Sequence, residues 1–100
     1  MNHLELEKVK ITEQLIPINQ LESLLIELSD SNKEKILLYI GNNSGCKQID
    51  IASHLDVTKQ YISDALNWFQ INQLIDSRTN ICLTESGAEL YRKLLDKKVN

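Results

Sequence analysis

From Cys46 to Ile75 the chain reads CKQIDIASHLDVTKQYISDALNWFQINQLI. Ile51, Ala52 and Leu55 recur at helical spacing, Asp56-Val57 interrupts them, and Ile62, Leu66 and Phe69 resume the same period. Thr58 stands where a helix needs an N-cap, because its hydroxyl can accept from an otherwise unpartnered amide of the first turn. The pattern predicts one helix from Lys47 through Leu55 and a longer one ending near Asn72. Two helices joined by so short a turn form a helix-turn-helix candidate.

Working outward, Leu74-Ile75 and Ile81-Cys82-Leu83 flank the polar run Asp76-Ser77-Arg78-Thr79-Asn80, which predicts a small β-hairpin. Thr84 then starts a last helix, with Ala88, Tyr91, Leu94 and Leu95 on one face and Lys97-Lys98 where cations suit the helix dipole. Upstream, Gly41 to Gly45 is the clearest turn cluster, and it closes a helix predicted from about Asn32 to Ile40. Ser31 followed by Glu34 has the form of a capping box for that helix. Before it, Pro17 suits a first helical turn, and Ile18, Leu21, Leu24, Leu25 and Leu28 follow helical spacing. Residues 1–16 fit both a strand-like alternation and a helix face, and read as an arm or a short helix.

Composition bounds what this string of helices can be. A chain of 100 residues buries only about 60–65% of its unfolded surface, enough for a single core. With 42% apolar and 25% charged residues it lacks the signature of disorder. The longest apolar run, Ile36 to Ile40, is far short of the roughly 20 residues that span a bilayer. The acidic N-terminal stretch has no secretory n-region, so the expectation is a cytoplasmic protein with no membrane partner. Cys46 and Cys82 form no CxxC and read as buried thiols rather than a disulfide.

The net charge of −3 provides no broad cationic field. Residues 1–50 nevertheless carry the whole deficit, with five basic and eight acidic groups, whereas residues 51–100 hold six of each. A polyanion-binding face belongs in the second half.

The segment 46–75, continued by Leu83-Thr-Glu-Ser-Gly87, resembles the winged helix-turn-helix DNA-binding domains of the MarR and ArsR kind over roughly residues 32–95. The resemblance implies a mainly α fold with a small β-hairpin as the wing. Residues 1–100 are then a single winged-helix domain: an arm and dimerisation helix (1–30), a helix-turn-helix (46–72), a wing (73–83) and a C-terminal helix (84–98). Ile51, Ala52, Leu55, Val57, Ile62 and Leu66 occupy the family's packing positions, with Ala52 small where the two helices cross. Leu83-Thr-x-x-Gly87 matches the passage from wing to last helix.

Three departures stand out. Asp56 replaces a turn Gly, and Asp tolerates left-handed φ. Gln73 replaces the Gly before the wing, with Asn72 beside it to take that conformation. Asp64 sits where many relatives carry Arg, and a carboxylate facing phosphate repels; it must point aside, accept from a cytosine amino group, or mark a helix that reads DNA differently.

With Ile62, Leu66 and Phe69 inward, the recognition helix presents Lys59, Gln60, Ser63 and Asn67 outward, with Thr58 at its start. Gln and Asn pair bidentately with adenine, Lys with guanine or phosphate, and Ser or Thr with phosphate. Tyr61 joins the candidate DNA-binding set, as do Lys47 at the start of the motif and Arg78 at the wing tip, which reaches backbone or minor groove in this family. Trp68, on a stripe with Tyr61 and Ala65, reads as core or subunit contact.

No metal site, cofactor or catalytic residue is predicted. His3, His54, Cys46 and Cys82 share no ligand spacing, and three glycines make no phosphate loop. Ile26 and Leu90 lie off the main apolar stripes of their helices, which predicts a homodimer through the N- and C-terminal helices. The reading is a homodimeric, sequence-specific double-stranded DNA-binding protein, a transcriptional regulator. The alternatives are a centromere-binding adaptor of a plasmid or phage partition system, partnered by a filament-forming GTPase, and a winged-helix protein-interaction module without DNA binding.

Overall fold

The structure, a computed structural model, describes residues 18–29 and 31–99, with the side chains of 18, 19 and 99 left aside. The expectations for residues 1–16, Pro17 and the side chain of Ile18 fall outside that range. Five helices follow in order among the described residues: α1 (Ile18–Leu28), α2 (Asn32–Asn42), α3 (Gln48–His54), α4 (Lys59–Ile71) and α5 (Glu85–Val99). None is long and apolar enough to cross a membrane.

Each helix forms where an apolar stripe coincides with a local start signal. On α1, Leu21, Leu24 and Leu28 are buried at spacings of three and four, facing α2 and α5. Ser31 caps α2: its Oγ accepts from the Glu34 N–H at 3.3 Å and donates to the Leu28 carbonyl at 2.6 Å, so one hydroxyl closes the α1–α2 turn. The Glu34 carboxylate is buried and lies 3.5 Å from Lys98 Nζ. Lys97 Nζ donates to Ser29 Oγ at 2.6 Å. The two C-terminal lysines thereby pin α5 to the end of α1 and the start of α2, a role beyond favouring a helix dipole.

Helix α2 runs through Gly41 instead of stopping at Ile40. A Cβ on Gly41 would overlap the Tyr91 ring, so this glycine serves the close approach of α2 and α5. The turn comes after Asn42, with Asn43 as C-cap and Gly45 at φ +87°.

The core joins all parts of the described chain: Ile36, Leu37 and Ile40 of α2, Ile51 of α3, Ile62, Ala65, Leu66 and Phe69 of α4, Leu74, Ile75 and Ile81 of the wing, and Leu90 and Leu94 of α5. Leu90 is thus a core residue with no exposed surface, not a spare position on a second face. Leu95, assigned to the buried face, is 38% exposed. The inward stripe of α5 is Gly87, Leu90 and Leu94 rather than Ala88, Tyr91 and Leu95. The cause is Gly87, whose missing Cβ lets α5 press against the Leu74 carbonyl and fixes the rotation of the helix.

The wing is slighter than the sequence predicts. In place of a two-stranded hairpin there are isolated antiparallel bridges, Ile75 with Leu83 and Cys46 with Ile81. Asp76 N–H donates to the Cys82 carbonyl at 2.9 Å, Gly45 N–H to Ile81 at 2.8 Å, and Ile81 N–H to Cys46 at 2.7 Å. Only two or three residues on each side are available to pair. The intervening Asp76–Asn80 segment makes its own local bond, Thr79 N–H to Ser77 Oγ at 3.0 Å, and so closes as a loop.

Candidate nucleic-acid interface

The α3–α4 unit is set by its turn and by two caps. Leu55 N–H closes α3 on the Ile51 carbonyl at 2.9 Å, and Val57 N–H bonds back to the Leu55 carbonyl at 2.9 Å, a tight turn centred on Asp56. Asp56 is not in the left-handed region, so the turn needs no glycine there. Ile51 is fully buried, while Ala52, Leu55 and Val57 pack half-buried against the core. Thr58 Oγ1 accepts from Tyr61 N–H at 3.0 Å and starts α4 as anticipated.

At its far end α4 closes with paired bonds from Leu74 N–H to the Phe69 carbonyl at 2.8 Å and from Gln73 N–H to the Gln70 carbonyl at 3.0 Å. This Schellman geometry needs a left-handed residue after the cap. Gln73 itself supplies it, at φ 58°, whereas Asn72 stays at φ −89° and uses its side-chain amide to cap the Trp68 carbonyl at 2.9 Å. The expectation that Asn72 takes the left-handed conformation is therefore corrected.

The entry into α5 gives the Leu83-Thr-x-x-Gly87 phrase a physical content. Thr84 Oγ1 accepts from Gly87 N–H at 3.0 Å and donates to the Gln73 carbonyl at 2.6 Å. One hydroxyl thus caps α5 and ties it to the end of α4. Gly87 then leaves room for the Leu74 backbone.

The outward face of α4 carries Lys59, Gln60, Asp64 and Asn67, all exposed. Thr58 is exposed at its start, and Tyr61 is half-buried against the core. Lys59, exposed at the start of α4, lines a cleft of about 230 Å³ with Gln48, Ile49 and Ala52 of α3. Lys47 is exposed at the head of α3, where its N–H donates to the Asp50 carboxylate at 2.9 Å.

Two of the candidate residues are joined in a way the sequence does not announce. The wing residue Arg78 folds back onto α4: its Nη2 donates to the Ser63 carbonyl and to Ser63 Oγ, both at 3.1 Å. Both residues are half-buried, so the 76–80 loop is fastened to the middle of α4. A guanidinium has five N–H donors, and the remainder stay available to an anion beside that helix. Asp64 is likewise engaged, accepting from Gln60 Nε2 at 2.9 Å. The i, i+4 spacing of Gln60 and Asp64 was the available signal for that bond.

Trp68 is half-buried, edge-on to Phe69 at 5.4 Å between ring centroids, with Lys33 Nζ 4.6 Å above the indole. It belongs to the packing between α2 and α4. Cys46 is buried, and desolvation followed by the nearby Asp50 charge pushes its thiol pKa up. Cys82 is half-buried, with Ser44 Oγ donating to its sulfur at 3.3 Å, and both cysteines are free thiols. Among the described residues no three His, Cys, Asp or Glu side chains converge as a metal site would require.

Against known proteins, no family model and no curated sequence matches this chain. Solved structures do. MepR, a transcription regulator of the Staphylococcus aureus multidrug efflux pump MepA, is 23% identical, with 99% of this chain and 80% of that one aligned at a TM-score of 0.58. The S. aureus MepR–DNA complex is 25% identical over 98% of this chain and 78% of that one, with a TM-score of 0.56. A MepR mutant bound to an oligodeoxyribonucleotide is 26% identical over 99% and 80% of the two chains, with a TM-score of 0.54. The chain has a MarR-like winged helix-turn-helix fold. The helix-turn-helix expected over residues 46–72 falls on α3 and α4, and the wing expected over 73–83 falls on the bridged segment that follows them.

Proposed function

We propose that this chain is a homodimeric, sequence-specific double-stranded DNA-binding protein that acts as a transcriptional regulator. The observation that carries the reading is the match, at 25–26% identity, to two MepR structures that contain DNA. The exposed face of α4 supports it independently. Lys59, Gln60 and Asn67 stand clear of the core on a helix whose ends are fixed by the Thr58 cap and the Gln73 turn. A helix of 13 residues, capped at its start and polar on its outward face, suits a major groove. Lys47, Thr58, Lys59, Gln60, Tyr61, Ser63, Asn67 and Arg78 form the proposed contact set. Within it Arg78 approaches the DNA alongside Ser63 rather than as an isolated wing tip.

A second protomer is supported by Ile26, which is 76% exposed on α1, and by Leu95 on α5. Both are large apolar side chains on helices that neighbour each other in the fold. Two protomers place two recognition helices on one duplex and double the phosphate contacts.

Fluorescence anisotropy with labelled genomic fragments, at low and moderate salt, tests DNA binding. Retention at low salt that concentrates on particular fragments supports the proposal, and no retained fragment overturns it in favour of a protein-interaction module. Sedimentation tests the dimer, and a monomer at micromolar concentration contradicts it.

A further inference from the structure

We propose that Asp64 is a positioning residue that holds the Gln60 amide in one orientation, so that Gln60 reads the adenine edge of an A·T base pair. The inference rests on the DNA-binding reading above and deepens it, by naming a base and explaining why a carboxylate sits on the recognition helix.

Gln60 and Asp64 lie one turn apart on the outward face of α4, both exposed. Side chains on a helix lean toward its N-terminus, so Asp64 reaches back to Gln60, and Nε2 donates to Oδ1 at 2.9 Å. An ionised carboxylate only accepts. Turning the Gln60 amide over would set its Oε1 against Oδ1, two acceptors at hydrogen-bond distance, so the carboxylate selects the orientation with Nε2 inward.

That choice decides what the amide offers a base. Oε1 and the second Nε2 hydrogen remain, an acceptor and a donor side by side. Adenine presents N6–H₂ and N7 in the major groove, a donor beside an acceptor, and matches this pair. Guanine presents two acceptors, cytosine only its amino donor, and thymine an acceptor and a methyl group, so each satisfies half of the amide at most.

The negative charge has its own consequence. Asp64 repels phosphate on every sequence alike, so it weakens non-specific binding without weakening one base preference relative to another. The same side chain therefore sharpens selectivity twice, by fixing Gln60 and by discouraging attachment through the backbone alone.

The test is binding-site selection from a randomised duplex library, with affinities for the selected duplex and for a scrambled one, using the full chain. The wild type is expected to fix an A·T pair at one position of each half-site. Gln60→Ala should make that position degenerate, losing about tenfold in discrimination. Asp64→Ala should relax the same position by about two- to threefold, the scale of an i, i+4 side-chain pair added to a lost acceptor clash, and should tighten binding to the scrambled duplex. Asp64→Asn keeps the shape but can turn its own amide to suit either orientation of Gln60, so it should relax that position as well. Asp64→Glu retains an acceptor-only group and should restore the preference.

All four variants should melt within about two degrees of the wild type, since both residues are exposed. The inference is overturned if Gln60→Ala relaxes no position, if the relaxed position is not A·T, or if Asp64→Ala leaves it as selective as before. Failure of the underlying reading looks different: the wild type then enriches no sequence and retains no scrambled duplex at low salt, before any variant is compared.

Discussion

Replacing Gln73 by glycine should make this protein more stable, and replacing its neighbour Asn72 by glycine should make it less so. Gln73 is held at φ 58° by the paired bonds that close α4, a region that costs an L-residue about 1–2 kcal/mol. Glycine removes that cost but adds about 0.5–1 kcal/mol of unfolded-state entropy, leaving a net gain of about 0.5–1 kcal/mol. For a domain of this size, 1 kcal/mol moves the melting temperature by about 4–8 °C, so Gln73→Gly should raise it by about 2–8 °C. Asn72 has φ −89° and donates its Nδ2–H to the Trp68 carbonyl at 2.9 Å. Asn72→Gly loses that bond and pays the glycine entropy, together about 1–2 kcal/mol in the destabilising direction. The assay is thermal melting followed by far-ultraviolet circular dichroism, with all variants at one fixed protomer concentration so that the comparison is independent of self-association. A fall in melting temperature for Gln73→Gly, or a rise for Asn72→Gly, would show that the left-handed residue has been placed wrongly.

Gly87→Ala should lower stability by about 1–3 kcal/mol, although alanine is the better helix former, because the added Cβ meets the Leu74 backbone, which has no rotamer to move; urea unfolding measures it. The thiol of Cys46 should react with a disulfide reagent more slowly than that of Cys82 at mildly alkaline pH, since burial and the Asp50 charge raise its pKa and only the thiolate attacks; equal rates would contradict this. The same shift fixes a sign: a pKa higher in the folded than in the unfolded state stabilises the fold below the unfolded thiol's pKa. That contribution is lost as the pH rises through the folded value, so Cys46→Ala should flatten the decline of stability at alkaline pH.

Capping depends on short-range chemistry, so Ser31 and Thr58 were legible as N-caps, and the α4 stripe of Ile62, Leu66 and Phe69 was legible from its period. The rotation of α5 was not, because Ala88, Tyr91, Leu94 and Leu95 follow a helical period as well as Gly87, Leu90 and Leu94 do. What separates the two faces is the contact of Gly87 with Leu74, thirteen positions away in the chain. Likewise Asn is the usual choice for a left-handed residue, yet the closure of α4 on Phe69 and Gln70 places that conformation one residue later, on Gln73. In the candidate interface, the exposed Lys59, Gln60 and Asn67 followed from helical geometry alone. The tie between Arg78 and Ser63 did not, since it joins a wing loop to a helix that precedes it by a whole turn of the fold.

The cations near α3, α4 and the wing make DNA binding by this face measurable as a salt dependence. Lys47, Lys59 and Arg78 supply three cations per protomer, hence six in a dimer, and counterion release then predicts that log K falls with log salt at a slope of about −5. Lys59→Ala, which removes one cation from each protomer, should reduce that slope by about two and leave the melting temperature within a few degrees, because Lys59 is exposed. An anisotropy titration of wild type and Lys59→Ala against a selected duplex across a salt series reports both slopes. A wild-type slope near −5 that becomes shallower in the variant is the predicted result; an absence of binding at low salt, or a slope that Lys59→Ala leaves unchanged, contradicts the assignment of this face to DNA.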